Sequence, residues 1–250
     1  MSLIQWGAVI AAGFGAGAVN TIVGSGSLIT YPVMVFLGVP PVTANIANTV
    51  GLVPGSLAGA WGYRDRLAGT RPLLLRLGAA SLVGAVCGAV LLTQLPKSAF
   101  AYVVPVLILA AALLVGFQPM IVKRSRPTES TRWRQLMFWV FLSGVYGGYF
   151  SAAQGVILLG VLGLFLASDL QEQNAVKNVL QALVNIVAAV FFIAVGSVAW
   201  KFAAMVAIGS LVGAPVGAAI AKRIPTGPFR IGIVVFGVVM AGVMAWLARH

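Results

Sequence analysis

The chain is short of the groups that carry most protein chemistry. Its 250 residues include four carboxylates (Asp65, Glu129, Asp169 and Glu172), one histidine (His250) and one cysteine (Cys87). Each shortage excludes something. A serine protease working inside a membrane needs a histidine base there, and an aspartyl one needs two acids, so neither chemistry has its residues. No GxxxxGK[ST] loop is present, which removes a self-contained ATP-driven pump. A thiophilic metal carrier calls for several cysteines. One cysteine reports no redox compartment, and Cys87, flanked by Gly84 and Gly88, is expected to be a packed small residue. No cofactor or metal is implied, and the chain is not read as an enzyme.

Charge is scarce as well: 8% of residues are charged, 60% are hydrophobic and mean hydropathy is +1.03. That balance lies outside soluble domains and specifies an integral membrane protein. Crossing ~30 Å of hydrocarbon takes about 20 apolar residues. Six unbroken runs qualify, at 41–63, 72–95, 98–118, 172–194, 197–221 and 228–248. Two further regions, 3–38 and 135–168, are long enough for a pair each but are interrupted. No basic residue precedes the first apolar run, so a cleavable signal is not expected.

The net charge of +12 is distributed in a way that argues against nucleic acid. Arg64, Arg66, Arg71 and Arg76 crowd one loop; Lys123, Arg124, Arg126, Arg132 and Arg134 a second; Lys222, Arg223 and Arg230 a third. The positive-inside rule assigns all three loops, 64–76, 119–134 and 222–230, to the cytoplasm. Trp6, Trp61, Tyr63, Trp133, Trp200 and Trp246 fall near segment ends, where amphipathic rings favour the interface. With these loops fixed, the two halves of the chain run in opposite directions.

An offset of about 130 residues superposes those halves, as expected for an internal repeat. GFGAGAVNTIVGSG (13–26) answers to LSGVYGGYFSAAQG (142–155), and ANIAN (44–48) to NAVKN (174–178), with Asn48 opposite Asn178. The expected fold is all-α: a single polytopic transmembrane transporter domain over 1–250, of eight to ten full or half-membrane helices in two inverted repeats. The repeats would cover 1–118 and 135–250, joined by the basic loop 119–134. Inverted repeats with broken helices are the build of many carriers.

The interruption NTIVGSGSLITYP (20–32) is costly in hydrocarbon unless protein or a watery cavity surrounds it. Helix ends placed there offer unpaired amides to an anion. Asn20, Ser25, Gly26 and Ser27 in the first break, and Gln154 and Gly155 in the second, are the candidate ligands. Gly209, Gly213 and Gly217, four apart, are read instead as close helix packing. The segments after the breaks add amides: Asn174, Asn178, Gln181 and Asn185 fall within about 60° of one another around a helix, with Lys177 beside them, and Asn45, Asn48 and Thr49 form a shorter counterpart. With every acid in or next to a loop, the lining is rich in donors and suits an anion. Lys177 is either its charge partner or a side chain snorkelling to the interface; Lys201 is expected to be interfacial. Without an intramembrane acid or histidine, either Lys177 titrates, the cargo carries its own proton, or flow is facilitated. An anion channel or a transporter of another small solute is the rival reading. The expected partners are a small anion and the bilayer, with a single copy and a homodimer both open.

At these residues the sequence resembles a known family. GFGAGAVNTIVGSGSLITYPVMVFLGVPPVTANIANTVGLVPGSLAGAWGYR (13–64), with GVYGGYFSAAQGVILL (144–159) and NAVKN (174–178), is similar to the TauE/SafE family of sulfite exporter-like membrane proteins over essentially the whole chain. The resemblance implies a carrier in a bacterial or archaeal inner membrane that exports sulfite or an organosulfonate such as sulfoacetate. Two departures add polarity to the site: Gly24-Ser25-Gly26-Ser27 replaces a richer glycine run, and Ala153-Gln154-Gly155 stands where a further glycine is expected.

Overall fold

The computed structural model describes residues 2–124, 132–166, 168–195, 198–221 and 227–247. Glu129, Arg126, Lys222, Arg223 and His250 lie outside the described residues; of the loops expected at 119–134 and 222–230, the segments 125–131 and 222–226 do too, and the described remainder is mostly helix, α5 running on to Arg124 and α10 beginning at Gly227. The described residues form ten helices and a single 3-10 turn, Arg64–Arg66. The helices are α1 (Leu3–Ile22), α2 (Ser27–Phe36), α3 (Pro41–Gly62), α4 (Arg71–Gln94), α5 (Lys97–Arg124), α6 (Trp133–Tyr149), α7 (Gln154–Phe165), α8 (Leu170–Val195), α9 (Trp200–Ala221) and α10 (Gly227–Leu247). All six unbroken runs appear as helices, α3 to α5 and α8 to α10. Each interrupted region appears as a long helix followed by a short one.

Local chemistry sets the first helix. Ser2 and Gln5 form a reciprocal capping box that satisfies two orphan donors at the start of α1. Its far end stops where Gly24 turns left-handed, at φ +83°. The following α2 has 10 residues and α7 has 12, about 15 and 18 Å long, roughly half the hydrocarbon thickness. By contrast α1, α4, α8 and α9 are long and apolar enough to cross alone.

Glycine decides which helices approach most closely. The tightest partner of α1 is α9, and that of α6 is α4. A Cβ on Gly213 would lie 2.0 Å from the Phe14 carbonyl oxygen, and one on Gly88 would lie 2.0 Å from that of Val145. These are backbone-to-backbone crossings of the small-residue kind, which agrees with the packing role expected of Gly209, Gly213 and Gly217. Inside the bundle, Tyr31, Phe100, Tyr149 and Phe150 meet edge to face, with centroids 5.4 to 6.4 Å apart, tying α2 and α5 to the end of α6.

Two expectations about single residues are corrected. Cys87 is exposed on the outer surface of α4. Its neighbours Gly84 and Gly88 do pack against α6, but one residue is a turn of about 100° around a helix, which carries Cys87 off that face. Tyr63 is fully buried rather than interfacial, packed with Ala175 and Ala218 beneath the turn that follows α3. Trp61, Trp200 and Trp246 do lie exposed at helix ends, as does Lys201 in the first turn of α9.

Candidate functional site

The two breaks touch. The Gly155 amide donates to the Gly24 carbonyl at 3.1 Å, and a Cβ on Gly24 would sit 2.3 Å from the Gly155 Cα. No side chain fits between these backbones. Ser27 and Ser151, at the head of α2 and just before α7, share a hydrogen bond of 2.8 Å between their hydroxyls. The N-terminal ends of the two short helices therefore lie together in the interior, far apart in sequence and adjacent in space.

The amide stripes cross from one half to the other. From α3, Asn45 donates to the Tyr149 carbonyl at 2.8 Å, at the C-terminal end of α6. From α8, the fully buried Lys177 donates to the Thr21 and Asn20 carbonyls at 3.0 and 3.5 Å, at the C-terminal end of α1. Asn178 reaches the same Thr21 oxygen at 3.5 Å. Each stripe thus satisfies carbonyls that the other half's broken helix leaves without a partner, and a cation at a helix C-terminus also meets the favourable end of its dipole. Lys177 does not snorkel. Its ammonium N–H groups face the α1 carbonyls.

The remaining bonds bind this core together. Asn48 donates to Ser27 at 2.8 Å and accepts from Thr30. Gln181 donates to the Asn20 side chain at 3.2 Å, which in turn accepts from the Gly26 amide at 3.4 Å. Asn185 and Asn20 both donate to Ser56, at 2.7 and 3.5 Å. Several polar atoms in the same region are buried without a partner: the Ser25 hydroxyl, both amide atoms of Gln154 and the Gln181 carbonyl oxygen. Burying an unpaired polar group is costly, about 1–3 kcal/mol each. Other such atoms, on Ser81, Ser143 and Asn174, lie away from the breaks.

Of the twelve candidate residues, eleven lie in this region: Asn20, Ser25, Gly26, Ser27, Asn45, Asn48, Gln154, Gly155, Lys177, Asn178 and Gln181. Asn174 is buried near the start of α8 with its side-chain oxygen unpartnered, and the bonds just described do not run through it. Two backbone amides expected to face a ligand are occupied, Gly26 by Asn20 and Gly155 by Gly24. Thr21, Thr30, Ser56 and Ser151 also take part and were missed. Ser151 was the most accessible of these, since it lies inside the stretch 142–155 that aligns with the first break. The acids among the described residues, Asp65, Asp169 and Glu172, are all off the buried core, and among the described residues no cluster of His, Cys, Asp or Glu could hold a metal ion.

Membrane-length helices, two of them interrupted and meeting at their interruptions around buried amides and one cation, define a polytopic membrane protein of the transporter class. Comparison with known proteins agrees. The model of the family described as "Sulfite exporter TauE/SafE" matches residues 9–244, so the chain belongs to the TauE/SafE family of membrane transporters. Among curated relatives, a "Probable membrane transporter protein" of Haemophilus influenzae is 29% identical over 210 residues, covering 82% of this chain and 81% of that one. "Probable membrane transporter protein ORF9" of a Sinorhizobium species is 30% identical over 207 residues, covering 82% and 79%. "Probable membrane transporter protein YfcA" of Escherichia coli K12 is 25% identical over 206 residues, covering 81% and 75%.

Proposed function

We propose that this transporter exports a small sulfur-containing anion, sulfite or an organosulfonate such as sulfoacetate, from a bacterial or archaeal cytoplasm by alternating access. The observation that carries the reading is the meeting of the two breaks, with Lys177, Ser25 and Gln154 beside them. The donors offered are an ammonium, a hydroxyl and a carboxamide, in a core from which the described acids are absent. That set favours an oxyanion over a cation. The sulfur chemistry of the cargo rests on the family description.

The inverted repeat and the orientation belong to this proposal. In its support, each half has the helix order long, short, long, long, long, and the close pairs α1 with α9 and α6 with α4 exchange equivalent helices between halves. The basic ends, including Arg64, Arg66, Arg71 and Arg76, face the cytoplasm. An anion leaving a cell that is negative inside gains ~2.3 kcal/mol per charge per 100 mV, so export runs without a coupling ion. In the cycle, one set of helices moves against the other and exchanges internal bonds such as Ser27 to Ser151 for bonds to the anion.

The test is efflux from proteoliposomes loaded in parallel with sulfite, sulfoacetate, sulfate, phosphate or acetate under an imposed potential. A sulfur oxyanion or sulfonate should leave fastest, show counterflow, and slow at least tenfold in Gln154→Leu or Lys177→Met. Efflux of none of the sulfur anions overturns the cargo assignment. Conductance without counterflow overturns alternating access in favour of a channel.

A further inference from the structure

Away from the breaks, α3 and α9 enclose a hollow of about 790 Å³ on the outer surface of the bundle. Volumes of this order are typical of sites that take a small organic ligand. Its walls are Pro54, Leu57 and Trp61 of α3 and Leu211, Pro215 and Ala219 of α9. The hollow exists because the two helices are drawn together deeper in, where Gly51 and Gly55 press on Val206 and Ser210, while alanine and proline keep their outer faces low. Arg64 stands at its mouth.

Arg64 is held in a particular pose. Its guanidinium lies 4.9 Å from the centre of the Trp61 ring, and its Nη1 donates to the Trp61 carbonyl at 3.2 Å. Both residues are exposed. A guanidinium carries five N–H donors in a planar fork, so most of its edge remains available, and that edge matches a phosphate. The neighbours of Arg64 are engaged elsewhere: Arg66 pairs with Asp169 at 3.9 Å, and the Arg76 guanidinium lies 5.0 Å from the centre of the Trp133 ring.

We propose that this groove is a binding site for an anionic phospholipid of the leaflet at the basic end of the bundle. The phosphodiester sits on the free edge of Arg64, with Trp61 at the depth of the headgroups, and one acyl chain lies between α3 and α9. Charge complementarity selects the occupant: the walls are hydrocarbon along the membrane direction, and the single side-chain ion lining the groove is a cation at the headgroup end. A second protein copy would leave that arginine facing an apolar helix surface. The site is independent of the cargo, but its walls are the helix that carries Asn45 and Asn48 and the helix that packs on α1. Occupancy therefore stabilises the scaffold of the first break.

The experiment is a titration of the detergent-purified protein with dioleoylphosphatidylglycerol and, separately, dioleoylphosphatidylcholine, read by thermal melting and native mass spectrometry. Phosphatidylglycerol should be retained one to one and raise the melting temperature; phosphatidylcholine should do neither. Arg64→Gln, at an exposed position that folding tolerates, should cut retention roughly fivefold, the worth of one basic side chain near a charged surface. Arg71→Gln, at the start of α4 and outside the groove, should retain lipid normally, and Ala219→Phe should displace it sterically. Equal retention of the two lipids overturns the proposal. So does equal loss in Arg64→Gln and Arg71→Gln, which would mean diffuse attraction, and so does an Ala219→Phe variant that changes oligomeric state while lipid retention persists, which would give the groove to a second copy.

Discussion

At the first break the chain turns at Gly24, with φ +83°; at the second it turns at Ser151 and Ala153, both at φ 59°. Glycine takes left-handed backbone freely, whereas a residue with a Cβ pays about 1–2 kcal/mol. The caps differ in the opposite sense. The carbonyl end of α1 is met by a cation, Lys177, and that of α6 by the neutral amide of Asn45. The first break is therefore relaxed in its backbone and charged in its cap; the second is strained and neutral. Strain of this kind persists where the surroundings over-determine it, and Phe150, Ala152, Ala153 and Gln154 are all buried to within about a percent of completely. The two breaks are turned and capped by different physical means, so they should respond differently to the same change.

The largest contrast is expected from Gly24→Ala. It adds left-handed strain and a Cβ 2.3 Å from the Gly155 Cα, together costing about 2–5 kcal/mol. Membrane abundance and melting temperature should both fall steeply, and a wild-type melt would show that the breaks do not meet. Next comes the pair of caps. Lys177→Met leaves the α1 carbonyls without their ammonium and should cost about 1–3 kcal/mol and stop anion efflux, while Lys201→Ala should change neither. Asn45→Ala, removing a neutral cap, should cost nearer 1 kcal/mol; equal losses at Lys177 and Asn45 would erase the distinction between charged and neutral ends.

The third contrast lies between the aligned asparagines. Asn48 bonds to both Ser27 and Thr30, whereas Asn178 makes a long bond, 3.5 Å to the Thr21 carbonyl. Either alanine variant should slow efflux without lowering abundance, with Asn48→Ala melting roughly 1 kcal/mol lower than Asn178→Ala. Unchanged efflux in both would make these residues packing glue. The smallest effect has the opposite sign: Ala153→Gly should relieve left-handed strain and gain up to about 1 kcal/mol. A drop in melting temperature there would mean that the second break is not strained.

Much of the scaffold was legible from the chain because the bilayer imposes a length on apolar runs, and each expected run corresponds to a helix within a few residues. The breaks were legible for a related reason: Gly24 and Gly26 interrupt hydrocarbon-grade sequence where an interruption needs company. What the sequence hid is which half each donor serves. Nothing local to Lys177 says that it reaches the carbonyls of Thr21 and Asn20, since that contact depends on how α8 lies across α1. Ser151 and Ala153 were unreadable as left-handed positions for a different reason. Their conformation is imposed by burial, and no residue preference announces it. Ser56, which receives both Asn185 and Asn20, was overlooked because a serine among glycines in α3 reads as a packing residue.

The seam between α1 and α9 also fixes an order of events in time. Gly13 meets the backbone of Val206 and Gly209, so α1 has its tightest partner in a helix synthesised long after it. At about 5–20 residues per second, roughly ten seconds or more separate their syntheses. Throughout that interval the glycine face of α1 is without the backbone it packs against, and for most of it the carbonyls at its end are without Lys177. A chain cut short before α9 keeps the contacts of α1 with α2 and α3 but loses its tightest seam.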